Sequence, residues 1–110
     1  MSIGLFLVLA LGHYLADFAW QSPWVAGLKG DALRKGADPH AIHALTAHAA
    51  HHALITVAIL WAFGLSPWWA IAVGVTHWLI DLGKARFALY GIHVDQALHL
   101  TVLAIVAVLA

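Results

Sequence analysis

The chain has 110 residues, 64% of them hydrophobic and only 9% charged, with five basic and five acidic side chains that cancel. A soluble domain of this size could not hide that much apolar surface, and so few cations leave no nucleic-acid partner to expect. Cysteine is absent, which excludes disulfides, thiolate metal sites and cysteine nucleophiles, so that any metal would need nitrogen and oxygen ligands. The composition predicts an all-α membrane protein, a four-helix up-down-up-down transmembrane bundle in a single domain covering residues 1–110.

The first span is expected over about residues 3–20. The stretch Met1-Ser2-Ile3-Gly4-Leu5 lacks the basic flank and small-residue cleavage site of a signal peptide, and His13 and Asp17 interrupt its apolar run, so it reads as a retained helix. Gln21-Ser22-Pro23 ends it. Residues of about 22–42 form the one substantial loop, cytoplasmic by its charge, in which Gly27, Gly30, Gly36 and Pro39 argue against one long helix. Within it, Pro23 to Arg34 reads as an interfacial segment with Trp24 and Leu28 toward lipid and Lys29 toward headgroups.

The second span is expected over about residues 44–63, followed by the turn Gly64-Leu65-Ser66-Pro67. The third runs over about 68–83, and the fourth, after Tyr90-Gly91, over about 94–110. Roughly 20 residues cross a hydrocarbon core, so these spans suit a thin or locally thinned bilayer. Trp20, Trp24, Trp61, Trp68, Trp69 and Tyr90 lie near span ends, as interfacial aromatics do. All five basic residues, Lys29, Arg34, Lys35, Lys84 and Arg86, fall in or beside the connections after spans one and three. The positive-inside rule then puts those connections in the cytoplasm and both termini outside, in a multi-pass protein of a bacterial inner membrane.

Each span carries two candidate ligands four residues apart: His13 and Asp17, His48 and His52, His77 and Asp81, Asp95 and His99. Four residues is about one helical turn, so each pair shares a helix face. The pairs sit late in spans one and three and early in spans two and four, which puts all eight at one depth near the cytoplasmic face. A charged aspartate inside a span costs about 2.5–3.5 kcal/mol on insertion scales, so three together call for a neutralising cation. Neutral imidazoles and carboxylates suit Zn²⁺ first, with Fe²⁺ and Mn²⁺ also matched to the donors, and bundle cores build such sites from facing helices.

Five histidines and three aspartates exceed one tetrahedral site and admit one or two ions. A hydroxide bridging two ions would cancel the leftover charge and serve as a nucleophile. Gln21, one turn after Asp17, and Gln96, beside Asp95, are placed to orient the ligands, with Thr76 before His77. Asp17 and Asp81 are the candidate catalytic bases. Lys84, three residues beyond Asp81, is a candidate to steady an anionic intermediate, to bind phosphate or to anchor to headgroups. His40, His43 and His93 read as loop or interface residues. His51 points about 100° from His52, and Lys29, Arg34 and Lys35 read as topogenic. Gly12, Gly74 and Gly83 read as points of close helix approach.

The segments Gly12-His13-Tyr14-Leu15-Ala16-Asp17-Phe18-Ala19-Trp20-Gln21, His48 with His52, His77-Trp78-Leu79-Ile80-Asp81-Leu82-Gly83-Lys84 and Asp95-Gln96-Ala97-Leu98-His99 show, in order, G-H-x3-D-F-x2-Q, H-x3-H, H-x3-D-x2-K and D-Q-x2-H. Over nearly the whole chain this resembles a family of small bacterial and phage membrane proteins catalogued only as a domain of unknown function. The resemblance supports the choice of residues and implies no reaction. His51 is a departure from the pattern.

Four functional readings fit this inventory, the last of them a structural or toxin-like phage membrane protein whose polar cluster is purely electrostatic. The first is a metal-dependent hydrolase acting on a lipid or lipid-linked substrate at the cytoplasmic leaflet. The second is a di-iron membrane oxidase or hydroxylase, for which His48-Ala49-Ala50-His51-His52 supplies an H-x2-H-H box without companion boxes elsewhere in the chain. The third is a non-enzymatic metal or haem binding or transport subunit, disfavoured as a path across the membrane by the apolar outer halves Leu5 to Leu11 and Thr101 to Ala110. Membrane lipids are the expected surroundings, and glycine-mediated homo-oligomerisation is compatible with so small a bundle.

Overall fold

The structure is a computed structural model that describes residues 2–36 and 38–110. Met1, which opens the amino-terminal stretch, and Ala37, inside the expected loop, lie outside the described residues. Helix α1 spans Ile3–Tyr14, its first turn capped by the Ser2 hydroxyl, which accepts from the Leu5 amide at 3.1 Å. It runs directly into a π-helical turn, Leu15–Ala19, which closes where the Trp20 amide reaches the Leu15 carbonyl. Ser22 then caps α2, Pro23–Gly27, with Pro23 in the first turn where its missing N–H costs nothing. A second π turn, Leu28–Ala32, leads to the short α3, Leu33–Lys35.

The region read from the sequence as a loop is thus largely helical. Gly27 and Gly30 sit in turns that keep a helical path, so the glycines loosen the helix without ending it.

Helix α4, Pro39–Ala62, begins about five residues before the expected span. Asp38 caps it, accepting from the His40 amide at 2.7 Å, and Pro39 fits the first turn. Capping chemistry, and not the onset of hydrophobicity, decides where a helix starts. Gly64, at φ +69°, makes the reversal into α5, Trp69–Ala85. Helix α6, Ile92–Leu109, comes after Gly91.

Packing runs α4 on α5, α5 on α6, and α1 on both α4 and α6. One apolar cluster joins Leu5 and Leu9 of α1, Leu60 of α4, Val73 of α5 and Leu103, Val106 and Ala107 of α6. The starts of α1 and α5 therefore meet the ends of α4 and α6, and these four helices alternate in direction. A second cluster, Leu33, Ala41, Leu45 and Ala85, seals the other end. Close approach depends on small residues: a Cβ on Gly74 would stand 3.1 Å from that of Ala53 on α4, and one on Gly12 would meet Ile55 and Ile59. Gly83 serves differently, since the space a Cβ would need there is filled by Tyr90.

Polarity is arranged inside out. His13, Asp17, His48, His52, Thr56, His77, Asp81, Asp95 and His99 are buried, while Leu7, Leu11, Leu54, Trp61, Trp68, Leu79 and Val108 face outward. Among the described residues there are only helices and turns. Two helices, α4 and α6, are long and apolar enough to cross a membrane. The pair Ile3–Ala19 and Pro23–Lys35, bent by 87°, makes a third if counted as one broken span. Helix α5 has 17 residues. These features are compatible with a membrane protein.

Candidate metal centre

Two regularities of the helix aim the polar side chains inward. The four-residue spacing places both members of a pair on one face, and on α4 that face holds Ala41, Ala44, Leu45, His48, Ala49, His52, Thr56 and Leu60. On α1 the spacing alone does not settle the matter, because Asp17 lies inside the π turn Leu15–Ala19. Such a turn inserts an extra residue and re-aims the side chains beyond it, a feature common at functional sites.

Asp17 sits at the centre of the result. Its Oδ1 lies 2.8 Å from His48 Nε2, 3.0 Å from His52 Nε2 and 3.6 Å from His77 Nε2. Its Oδ2 accepts from the Gln96 side-chain amide at 3.0 Å and lies 3.4 Å from His13 Nε2. Gln96 also pairs its carbonyl with His13 Nε2 at 2.8 Å and donates to Asp95 at 3.0 Å, so one amide ties α1 to α6. Asp81 is the second hub: Oδ1 is 3.1 Å from His99 Nε2, while Oδ2 is 3.3 Å from His77 and 3.7 Å from His48. His99 reaches on to Asp95 Oδ1 at 3.4 Å.

All eight residues singled out by spacing therefore stand in one buried cluster, and all five histidines turn Nε2 into it. Three combinations bring ligand atoms close enough to hold an ion: Asp17 with His48, His52 and His77; His13 with His77 and His99; and Asp17 with Asp95 and His99. Donors bound about 2.0–2.2 Å from a tetrahedral ion stand roughly 3.3–3.6 Å apart. The Asp17 Oδ1 distances of 2.8, 3.0 and 3.6 Å are near that range before any adjustment. His77 Nε2 and Asp95 Oδ1 are buried without a hydrogen-bond partner, in a cluster where each such atom costs about 1–3 kcal/mol. A cation held with Asp17, His48 and His52 would answer His77, and one held with Asp17 and His99 would answer Asp95. The rings of His52 and His77 stack at 3.7 Å and those of His77 and His99 at 4.1 Å, and a cavity of about 10 Å³ beside them has room for one water.

Two lysines complete the charge pattern, and neither does quite what its sequence position suggests. Lys29, expected to be topogenic, places Nζ 3.2 Å from Asp81 Oδ2, with its side chain only 12% exposed. Lys84, expected beside Asp81, instead lies 3.2 Å from Asp95 Oδ2 on the next helix. One helical turn carries its long side chain past Asp81 toward the start of α6. Three carboxylates against two ammonium groups leave a single negative charge in the cluster.

The remaining residues fall outside it. Gln21 donates to the Asp17 backbone carbonyl at 3.3 Å rather than to the carboxylate. Thr76 bonds to carbonyls of its own helix, Ala72 and Val73. His51 stacks near Trp20, and His40, His43 and His93 are exposed. Tyr90 lies over Gly83 and donates to the Ile80 carbonyl. Burial, together with the charges of Asp95 and Asp81, raises its phenol above the ordinary value, so it stays a neutral donor.

Lys29 is the site residue that local sequence pattern could not find. It reaches Asp81 because the chain bends 87° after α1, and no spacing rule encodes that bend. The one available signal was a cation on a short amphipathic segment next to a cluster with surplus negative charge.

A family model described as a protein of unknown function, DUF3307, matches residues 5–110, and the chain belongs to that family. No curated protein and no solved structure matches it.

Proposed function

We propose that this member of the DUF3307 family is an integral membrane protein of four spans that holds one divalent metal ion between its helices, near the cytoplasmic face. The observation that carries this reading is the convergence of Asp17 Oδ1 with the Nε2 atoms of His48, His52 and His77. Three neutral imidazoles and one carboxylate suit Zn²⁺, and also Fe²⁺ or Mn²⁺. The four-span topology is supported by the alternating helix directions and by outward-facing apolar side chains on every long helix. Helix α5, at 17 residues, would be about 26 Å long, which suits a thinned bilayer. All five basic residues lie at the end where the cluster sits, and the positive-inside rule makes that end cytoplasmic.

Lys29 and Lys84 change the count that the sequence suggests. With their charges included, one divalent ion leaves one positive charge, whereas two ions would leave three in a low-dielectric interior. A single ion is favoured, which weighs against the di-iron reading, as does the placement of His51 outside the cluster. A transport path is disfavoured by the apolar plug of Leu5, Leu9, Leu60, Val73, Leu103 and Val106 on the far side.

The activity we infer is hydrolysis of an ester or phosphoryl bond in a lipid or lipid-linked substrate. Asp81 or Asp17 would take the proton from water, and Lys84 would sit beside the charge that develops. Its support is the joint presence of carboxylates, imidazoles and two ammonium groups at membrane depth, a costly arrangement that function would explain.

Metal per chain, measured by elemental analysis of detergent-purified protein, tests the metal reading. About one ion is expected in the wild type and in the exposed-site variant His43→Ala, falling several-fold in Asp17→Asn and His77→Ala. Folded wild type with metal at background would refute it.

A further inference from the structure

We propose that the metal-loaded centre binds an oxyanion of the phosphate class between the ammonium groups of Lys29 and Lys84, an inference that rests on the metal reading above. Lys29 pairs with Asp81 and Lys84 with Asp95, each at 3.2 Å, and these two carboxylates are joined through His99. An ammonium has three N–H donors, and each lysine has one carboxylate partner among the described residues. Both side chains keep some contact with the surroundings, at 12% and 24% exposed, while Asp81 and Asp95 are 1% and 0% exposed. The lysines thus form the accessible rim of the cluster and the aspartates its floor.

Charge supplies the second argument. Without metal the three carboxylates and two ammonium groups of the cluster leave one negative charge. One divalent ion turns this into one positive charge, and an unpaired charge in this interior is strongly unfavourable. Loading the metal therefore creates the need for an anion, and the N–H groups that each lysine does not spend on its aspartate are donors for it. A phosphate group carries the required charge and offers several oxygens to two ammonium groups and the metal. The partly exposed Gln96, whose amide donates to Asp17 and Asp95 and whose carbonyl pairs with His13, ties Asp95, the partner of Lys84, to Asp17 in the metal site.

Such a phosphate belongs either to a lipid headgroup, reached from the cytoplasmic leaflet, or to a soluble compound. Equilibrium dialysis of labelled orthophosphate against protein in a neutral sugar detergent, and native mass spectrometry of protein offered phosphatidylglycerol with phosphatidylcholine, distinguish the two. Both are run on metal-loaded and metal-stripped protein, with metal per chain measured on the same samples. The loaded wild type is expected to bind orthophosphate, or to retain phosphatidylglycerol selectively, about tenfold or more tightly than the stripped protein. Lys29→Gln and Lys84→Gln are each expected to lose about that factor while keeping their metal, because neither lysine nor its carboxylate partner belongs to the Asp17, His48, His52 and His77 ligand set.

Orthophosphate binding assigns the site to a soluble ligand, and phosphatidylglycerol retention alone assigns it to a headgroup. Either result supports the proposal. It is overturned if loaded protein binds neither, or if binding is indifferent to metal or unchanged in both lysine variants. Absence of metal from folded wild type defeats the metal reading and this proposal together, whereas metal without anion defeats this proposal alone.

Discussion

Asp17 and Lys29 mark the two extremes of what a single residue's sequence context reveals. Asp17 is polar in an apolar helix and four residues from His13, so the helical period alone points to it. Its partnership with His48 and His52, however, depends on the π turn, which no residue in Leu15–Ala19 announces. Lys29 lies on a different segment 52 positions from Asp81, and their meeting is a product of tertiary structure. Breaking a buried ion pair by removing one partner costs about 3–5 kcal/mol, because the other charge stays behind. Lys29→Met is thus expected to destabilise the metal-free protein by about 3 kcal/mol. The penalty should shrink when an ion held by Asp17, His48, His52 and His77 places its charge close to Asp81, which lies 3.3 Å from His77 and 3.7 Å from His48. Thermal unfolding in detergent with and without metal checks this, and equal losses in both states would argue against coupling between Lys29 and the ion. Gly83→Ala should lower stability through a different route, by displacing the Tyr90 ring from the Ile80 carbonyl.

At the scale of elements, the i to i+4 pairs and the turn residues were readable because the helix period and the chemistry of proline and glycine are local. Helix starts were less so: Asp38 and Pro39 begin α4 in polar sequence, ahead of the apolar run by which a span is recognised. Asp38→Ala should cost about 1 kcal/mol of stability without touching metal content. Gly74 makes the contrasting case. It contacts no candidate ligand, yet it lets α5 lie against Ala53 of α4, the contact that brings the His77 ring to 3.7 Å from the His52 ring. Gly74→Leu should push the two helices apart and reduce metal per chain several-fold while the chain remains helical by circular dichroism. Unchanged metal content in that variant would mean that α4 and α5 are not held together by this close approach.

For the whole molecule, composition indicated helices with an inverted polarity, and the distribution of five cations indicated an orientation, since both depend on sums over the chain rather than on contacts. What remained hidden was where the segment beyond the 87° bend lands: Gln21-Ser22-Pro23 marks the break, but the packing of Pro23–Lys35 on α4, which carries Lys29 to Asp81, has no local signal. The absence of cysteine makes the orientation straightforward to examine. In intact bacterial cells, a membrane-impermeant thiol reagent should label Ser66→Cys and spare Gly36→Cys, which should react only after the membrane is opened. The reverse pattern would invert the topology and move the cluster to the outer face.

The proposed joint ligation of one ion by Asp17 of the π turn, His48 and His52 of α4 and His77 of α5 is the feature on which the rest depends, and X-ray absorption at the edge of the bound metal reads it out. A shell of nitrogen and oxygen donors at about 2.0–2.2 Å is expected, with outer-shell scattering from about three imidazoles, altered in Asp17→Asn and weakened in His52→Ala. A bound ion surrounded by oxygen donors alone, with no imidazole scattering and the same spectrum in both variants, would contradict it.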